Sequence, residues 1–148
     1  MLAKTDWGHL IPHAGTMCLL DAVLEWDGRS ILAISASHAR VDNPLRGSQG
    51  LHAVHLAEYG AQAMAVHAAL VARASGLETA RPGRLVSLRE LQLAEEYVDH
   101  LDGHLDVHAE CLYADDNGAQ YAFRIEHRGR LLASGRAAVI HPESSAAA

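Results

Sequence analysis

The chain has only two cysteines in 148 residues, Cys18 and Cys111, far apart and without partners at metal-site spacing. This rules out a disulfide framework and leaves both as buried, reduced thiols within predicted strands. Basic residues are few and scattered: 12 Lys and Arg stand against 18 Asp and Glu, for a formal charge of -6, and all but Lys4 are arginines. Nucleic-acid binding, which calls for a basic patch, is not expected. No apolar run reaches the ~20 residues needed to cross a bilayer; even Ala63 to Val71 is broken by His67. The opening MLAKTDWGHLIPH lacks an apolar core of signal-peptide length. A cytoplasmic protein off the membrane is expected. A glycine-rich phosphate loop and a Gly-x-Ser-x-Gly elbow are also missing, which argues against nucleotide-dependent and serine-hydrolase chemistry. No cofactor and no metal are expected.

What is present reads as one domain over residues 1–142, followed by a disordered tail, ESSAAA, at 143–148. Hydrophobic residues at 49% and charged residues at 20% are those of an ordinary globular core and surface. After a lead-in with a short helix or turn near Trp7, the apolar run Met17 to Trp26 and the alternating Ser30 to Ser37 read as a hairpin about Asp27-Gly28. A punctuated loop, His38 to Gly50, precedes a long helix from Leu51 to Ser75 that Gly76 closes. Four strand-like runs follow: Arg84 to Val98, Gly103 to Ala114, Gln120 to His127 and Arg130 to His141. The turns between the last three are marked by Asp-Asp-Asn-Gly at 115–118 and Arg128-Gly129.

A lone, nearly all-apolar helix needs cover over most of its circumference. A curved antiparallel sheet of five to six strands wrapped around it supplies that cover. The expected class is α+β with the hotdog arrangement. Dimerisation is expected too, because a single sheet leaves an edge strand and part of the helix open.

The helix carries one unexplained charge. From Leu51 to Val71 only His52, His55, Glu58, Gln62 and His67 are polar. A carboxylate there costs several kcal/mol unless it is paired or wet. At about 100° per residue, His55, Glu58 and Gln62 fall within a sector of about 60°. His52 lies at the margin of that stripe and His67 points away. The stripe reads either as a hydrogen-bonded polar cluster or as a pocket acid with its pKa raised by desolvation, poised to move a proton.

The segment LIPHAGTMCLLDAV, residues 10–23, resembles the opening of the 3-hydroxyacyl-acyl-carrier-protein dehydratases, and Glu58-Tyr59-Gly60-Ala61-Gln62 resembles their helix motif. Asp42 to Leu45 (DNPL) together with Glu58 to Ala63 is still more similar to the dehydratase-like proteins of aryl-polyene gene clusters. The resemblance implies the hotdog fold, with acyl thioesters carried on the phosphopantetheine of an acyl carrier protein as substrates. It also implies dehydration by two groups: a histidine that takes the C2 proton and a helix acid that protonates the departing C3 hydroxyl. Glu58 takes the acid's place, and Gln62, Tyr59 and His52 are the candidates for holding substrate. An acidic carrier protein implies an arginine docking face, for which Arg46, Arg81 and Arg84 are the candidates.

The family's loop histidine has no counterpart: counting back from Glu58 by the family's spacing reaches Pro44. His55 and His38 are the candidate bases, with His52 a further substitute. Three readings stay open: an unusual catalytic pair, a half-site completed by a histidine-bearing hotdog homologue in a heterodimer, or a homologue without catalysis. Two rival functions accompany them. One is an acyl thioesterase on the same fold, the other a non-catalytic acyl-binding partner subunit.

Two further features are set aside. His100, Asp102, His104, Asp106 and His108 alternate with apolar residues, which on a strand makes a solvated face rather than a converging ligand set. His13, in Ile11-Pro12-His13, reads as a structural hydrogen-bonder.

Overall fold

In the computed structural model the described residues are 1–76 and 83–141. The tail expected at 143–148 and Arg81 lie outside them. The chain opens with a two-residue strand β1 (Leu2–Ala3) and a short helix α1 (Lys4–Trp7). Strands β2 (Ala22–Trp26) and β3 (Ser30–Ser35) lead to the long helix α2 (Leu56–Ala74). Strands β4 (Arg84–Leu93), β5 (Leu105–Ala114), β6 (Gly118–His127) and β7 (Arg130–Ile140) complete the order.

All strand pairings are antiparallel, in the order β1-β2-β3-β5-β6-β7-β4. The hairpin turns follow their local chemistry. Asp27 accepts from the backbone N–H groups of Arg29 and Ser30, and Asp115 accepts from those of Asn117 and Gly118. Arg128 and Gly129 both take positive φ, 52° and 80°, the combination a tight hairpin requires.

Helix α2 lies across the concave face, packed on β3, β5, β6 and β7. Leu56, Tyr59, Ala63, Met64, Val66 and Leu70 face inward against Ile31, Val107, Phe123, Ile125 and Leu132. Gly60 lets the helix approach closely: a Cβ there would lie 2.6 Å from the ring of Phe123, the chain's one phenylalanine. Phe123 is also paired across the sheet with Gly135, whose missing side chain makes room for the ring. This is the hotdog arrangement, with six long strands and one two-residue edge strand around a single long helix. No described helix is long and apolar enough to cross a membrane.

Three expected boundaries shift. The apolar run from Met17 is not strand until Ala22, so Cys18 lies before the sheet; Gly15–Met17 is instead a 3-10 turn. Helix α2 starts at Leu56 rather than Leu51, because Leu51 N–H donates to Asp99 (2.9 Å) and Ala53 N–H to the Glu96 carbonyl (2.8 Å), and Ala53–His55 forms a 3-10 turn before the helix. Strand β4 ends at Leu93, five residues before Val98, after a bulge at Glu90, where φ is 53°.

Candidate active site

Glu58 stands in the first turn of α2, where the helix dipole favours negative charge. Its side chain is 36% exposed, and its Oε1 lies 3.3 Å from Nε2 of His13, itself 28% exposed. The two residues are 45 positions apart, brought together by the loop that precedes β2.

Gln62, one helical turn beyond Glu58 on the same stripe, places that loop. Its fully buried carboxamide donates to the Met17 carbonyl (2.6 Å) and accepts from the Leu19 N–H (2.9 Å). The Leu19 carbonyl accepts from Ser35 and Ser37 in turn. Tyr59, also fully buried, meets Ser37 Oγ at 2.8 Å and accepts from Asn43 Nδ2 at 3.0 Å. Burial pushes the Tyr59 phenol above its usual range, keeping it a donor. Helix, loop and the Asp42-to-Leu45 segment are thus joined by one buried hydrogen-bond chain.

The residues expected to hold substrate therefore sit differently from Glu58. Gln62 and Tyr59 spend their polar atoms on the protein's own backbone and side chains. His52 Nδ1 accepts from Val54 N–H (3.0 Å), capping the turn before α2, and its ring meets Tyr97 edge-on. His55 is half-buried at the helix entry.

His38 is fully buried, with Nε2 2.7 Å from the Leu101 carbonyl. A carbonyl only accepts, so Nε2 carries the proton; burial lowers the ring's pKa and keeps it neutral. Its Nδ1 is buried without a hydrogen-bond partner among the described residues. Among those residues, no hydrogen bond or ion pair joins Glu58 to His38 or His55; the imidazole that reaches Glu58 is that of His13. His13 lies within the Leu-Ile-Pro-His segment that carried the family resemblance, and that segment was the one signal in the sequence that pointed to it.

The alternating His and Asp row divides at Gly103, where φ is 70°. Asp102 accepts from His127 and Arg128, whereas Asp106 and His108 lie on the outer face of β5, with His108 3.4 Å from Glu126. Among the described residues, no group of three His, Cys, Asp or Glu side chains converges as a metal site. Arg46 is engaged with Asp99 at 3.4 Å, and Arg84 opens β4.

An imidazole 3.3 Å from a carboxyl at a half-open surface sets two groups able to carry a proton side by side. Such a pair can take a proton from one atom of a bound molecule and deliver one to another.

The fold is shared with known proteins. A chain of the dehydratase heterocomplex ApeI:P from Xenorhabdus doucetiae superimposes with a TM-score of 0.82 at 21% identity, covering 93% of this chain and 91% of that one. A hypothetical thioesterase with coenzyme A from Streptococcus pneumoniae gives 0.65 at 13% identity, over 95% and 97% of the two chains. A putative thioesterase from Ralstonia eutropha gives 0.56 at 16% identity, over 80% and 83%. At these identities the likeness establishes the fold alone. None of the curated proteins compared matches the sequence. The family model for ApeP-like proteins, described as ApeP dehydratase, matches residues 5–148, nearly the whole length, and the chain therefore belongs to the ApeP-like dehydratase family.

Proposed function

We propose that this protein dehydrates 3-hydroxyacyl thioesters presented by an acyl carrier protein, alone or as the acid-bearing subunit of a heterodimer. The observation that supports this reading is the half-exposed carboxyl of Glu58, in the first turn of α2 and facing an imidazole. In the reaction a base removes the C2 proton. The Glu58 carboxyl protonates the hydroxyl leaving C3, and water departs as the C2=C3 bond forms. The positive end of the α2 dipole, in whose first turn Glu58 stands, favours negative charge developing on the thioester oxygen.

The partner in the heterodimer reading is a second hotdog chain; that the similar Xenorhabdus chain belongs to a dehydratase heterocomplex supports a two-chain assembly. Strand β4 supports this reading: it is an outer strand of the sheet and leaves Leu85, Val86, Leu88 and Leu93 exposed.

The test offers the protein a 3-hydroxyacyl carrier protein and a saturated acyl carrier protein, with and without a histidine-bearing hotdog homologue. Enoyl absorbance from the first substrate is expected, and Glu58→Gln should lower its rate by roughly 10²–10⁴-fold. Free thiol from the second substrate would instead indicate a thioesterase. Binding without either product, under both conditions, would leave an acyl-binding subunit.

A further inference from the structure

His13 and His67 make opposite use of an imidazole. His67 is buried on α2 with both nitrogens engaged, Nδ1 with Tyr121 (2.6 Å) and Nε2 with the Asp27 carbonyl (2.9 Å). That is the pattern of a structural histidine. His13 has a single polar contact among the described residues, Nε2 to Glu58 at 3.3 Å, while its Nδ1 is buried without a partner. A ring kept only to tie the loop down would be expected to satisfy that second nitrogen. The loop is already secured by Gln62 through Met17 and Leu19. Both His13 and Glu58 keep about a third of their side chains in solvent, at 28% and 36%.

We propose that His13 is the general base of the dehydration and acts within the same chain as Glu58. This rests on the dehydratase reading of Glu58. The unprotonated Nε2 takes the proton from C2, and the C–H electron pair becomes the C2=C3 bond. The C3–O bond breaks, and its oxygen takes the proton of the Glu58 carboxyl to leave as water. His13 is then protonated and Glu58 ionised, side by side, so one proton passing from Nε2 to Oε1 restores the starting state. A base and an acid on one chain make a site that needs no histidine from a partner, even where the partner is needed to shape the acyl tunnel.

The test measures turnover of a 3-hydroxyacyl carrier protein by wild type, His13→Gln and His13→Ala, alongside binding of a saturated acyl carrier protein, which cannot eliminate. Both variants are expected to lose roughly 10²–10⁴-fold in turnover. Both should bind the saturated carrier as wild type does, which shows them folded, and free imidazole should restore part of the His13→Ala rate. Wild-type turnover that survives in both variants to within about twofold would overturn the assignment of His13 while leaving the dehydratase reading intact. A wild-type protein that binds but never eliminates, alone or with a hotdog homologue, would overturn the dehydratase reading itself and His13 with it. A histidine-deficient homologue as partner keeps the partner's own site from masking the result.

Discussion

His67 Nδ1 lies 2.6 Å from the hydroxyl of Tyr121, across the interior from α2 to β6. The Asp27 carbonyl accepts from Nε2–H at 2.9 Å, which fixes the ring's tautomer and makes Nδ1 the acceptor for the Tyr121 O–H. Burial raises the phenol's pKa and lowers the imidazole's, so both remain neutral and the bond persists at ordinary pH. One histidine thus ties the helix to the β2–β3 turn and to the sheet.

Tyr121→Phe removes the donor and leaves a buried acceptor unpaired, at a cost of about 1–3 kcal/mol. His67→Leu strands both the Tyr121 hydroxyl and the Asp27 carbonyl and should cost more. Urea unfolding of the two single variants and the double variant gives the coupling. Additive losses would show that the two side chains do not depend on each other.

Acid should destabilise the fold through His38 and His67. Both have folded pKa values lowered chiefly by burial, so below the ordinary histidine pKa of about 6.5 the unfolded chain binds more protons than the native one. Stability from these two residues is therefore fully present above that pH. It falls as pH drops toward their folded pKa values and then levels off. Unfolding midpoints at a series of pH values should show this slope. His67→Gln, which cannot titrate, should flatten it, and an unchanged slope would show that His67 is not a source of it.

Gly60→Ala sets two effects against each other. Alanine gains about 1 kcal/mol of helix propensity, but its Cβ would stand 2.6 Å from Phe123 in a packed core. Overpacking of that kind typically costs about 1–3 kcal/mol, so a net loss is expected. In a Phe123→Leu background the clash is relieved and the same substitution should become neutral or stabilising. Thermal unfolding of the four proteins tests this, and a stabilised single variant would contradict the close approach of helix and sheet.

Much of this architecture was legible in the sequence because it rests on local rules. The period-2 strands, the Asp-Gly and Arg-Gly turns and the apolar helix each declare themselves within about ten residues. Glu58 and Gln62 were legible as one stripe because helical geometry alone places them there. Met17 to Asp21 misled because its composition suits a strand while its hydrogen bonds go to Gln62, Ser35 and Ser37, the first of these more than forty residues away. The start of α2 moved for the same reason: Asp99 and Glu96 hold Leu51 and Ala53 from far along the chain. His13 belongs with these. Its meeting with Glu58 depends on a loop folding back over the helix, and no periodicity encodes that.

Gln62→Leu would test how firmly that loop is held. The substitution keeps a side chain of comparable bulk but leaves the Leu19 N–H and Met17 carbonyl unpaired, each at a cost of about 1–3 kcal/mol. Exchange of the Leu19 amide with deuterium should speed up more than that of core amides on β5. Unchanged protection at Leu19 would mean that the loop is held by other contacts.

Strand β4 makes the last prediction. Its Val86 and Leu88 are 50% and 42% exposed on an outer strand, where apolar side chains invite pairing with another chain. Replacing both with lysine removes little buried area within the chain, so monomer stability should change by no more than about 0.5 kcal/mol per site. Association should change much more, because charge on an exposed edge opposes strand addition. Sedimentation at micromolar concentration, of the protein alone and mixed with a hotdog homologue, should show a shift toward monomer in the double variant. Assembly that survives both lysines would place the contact on some surface other than β4.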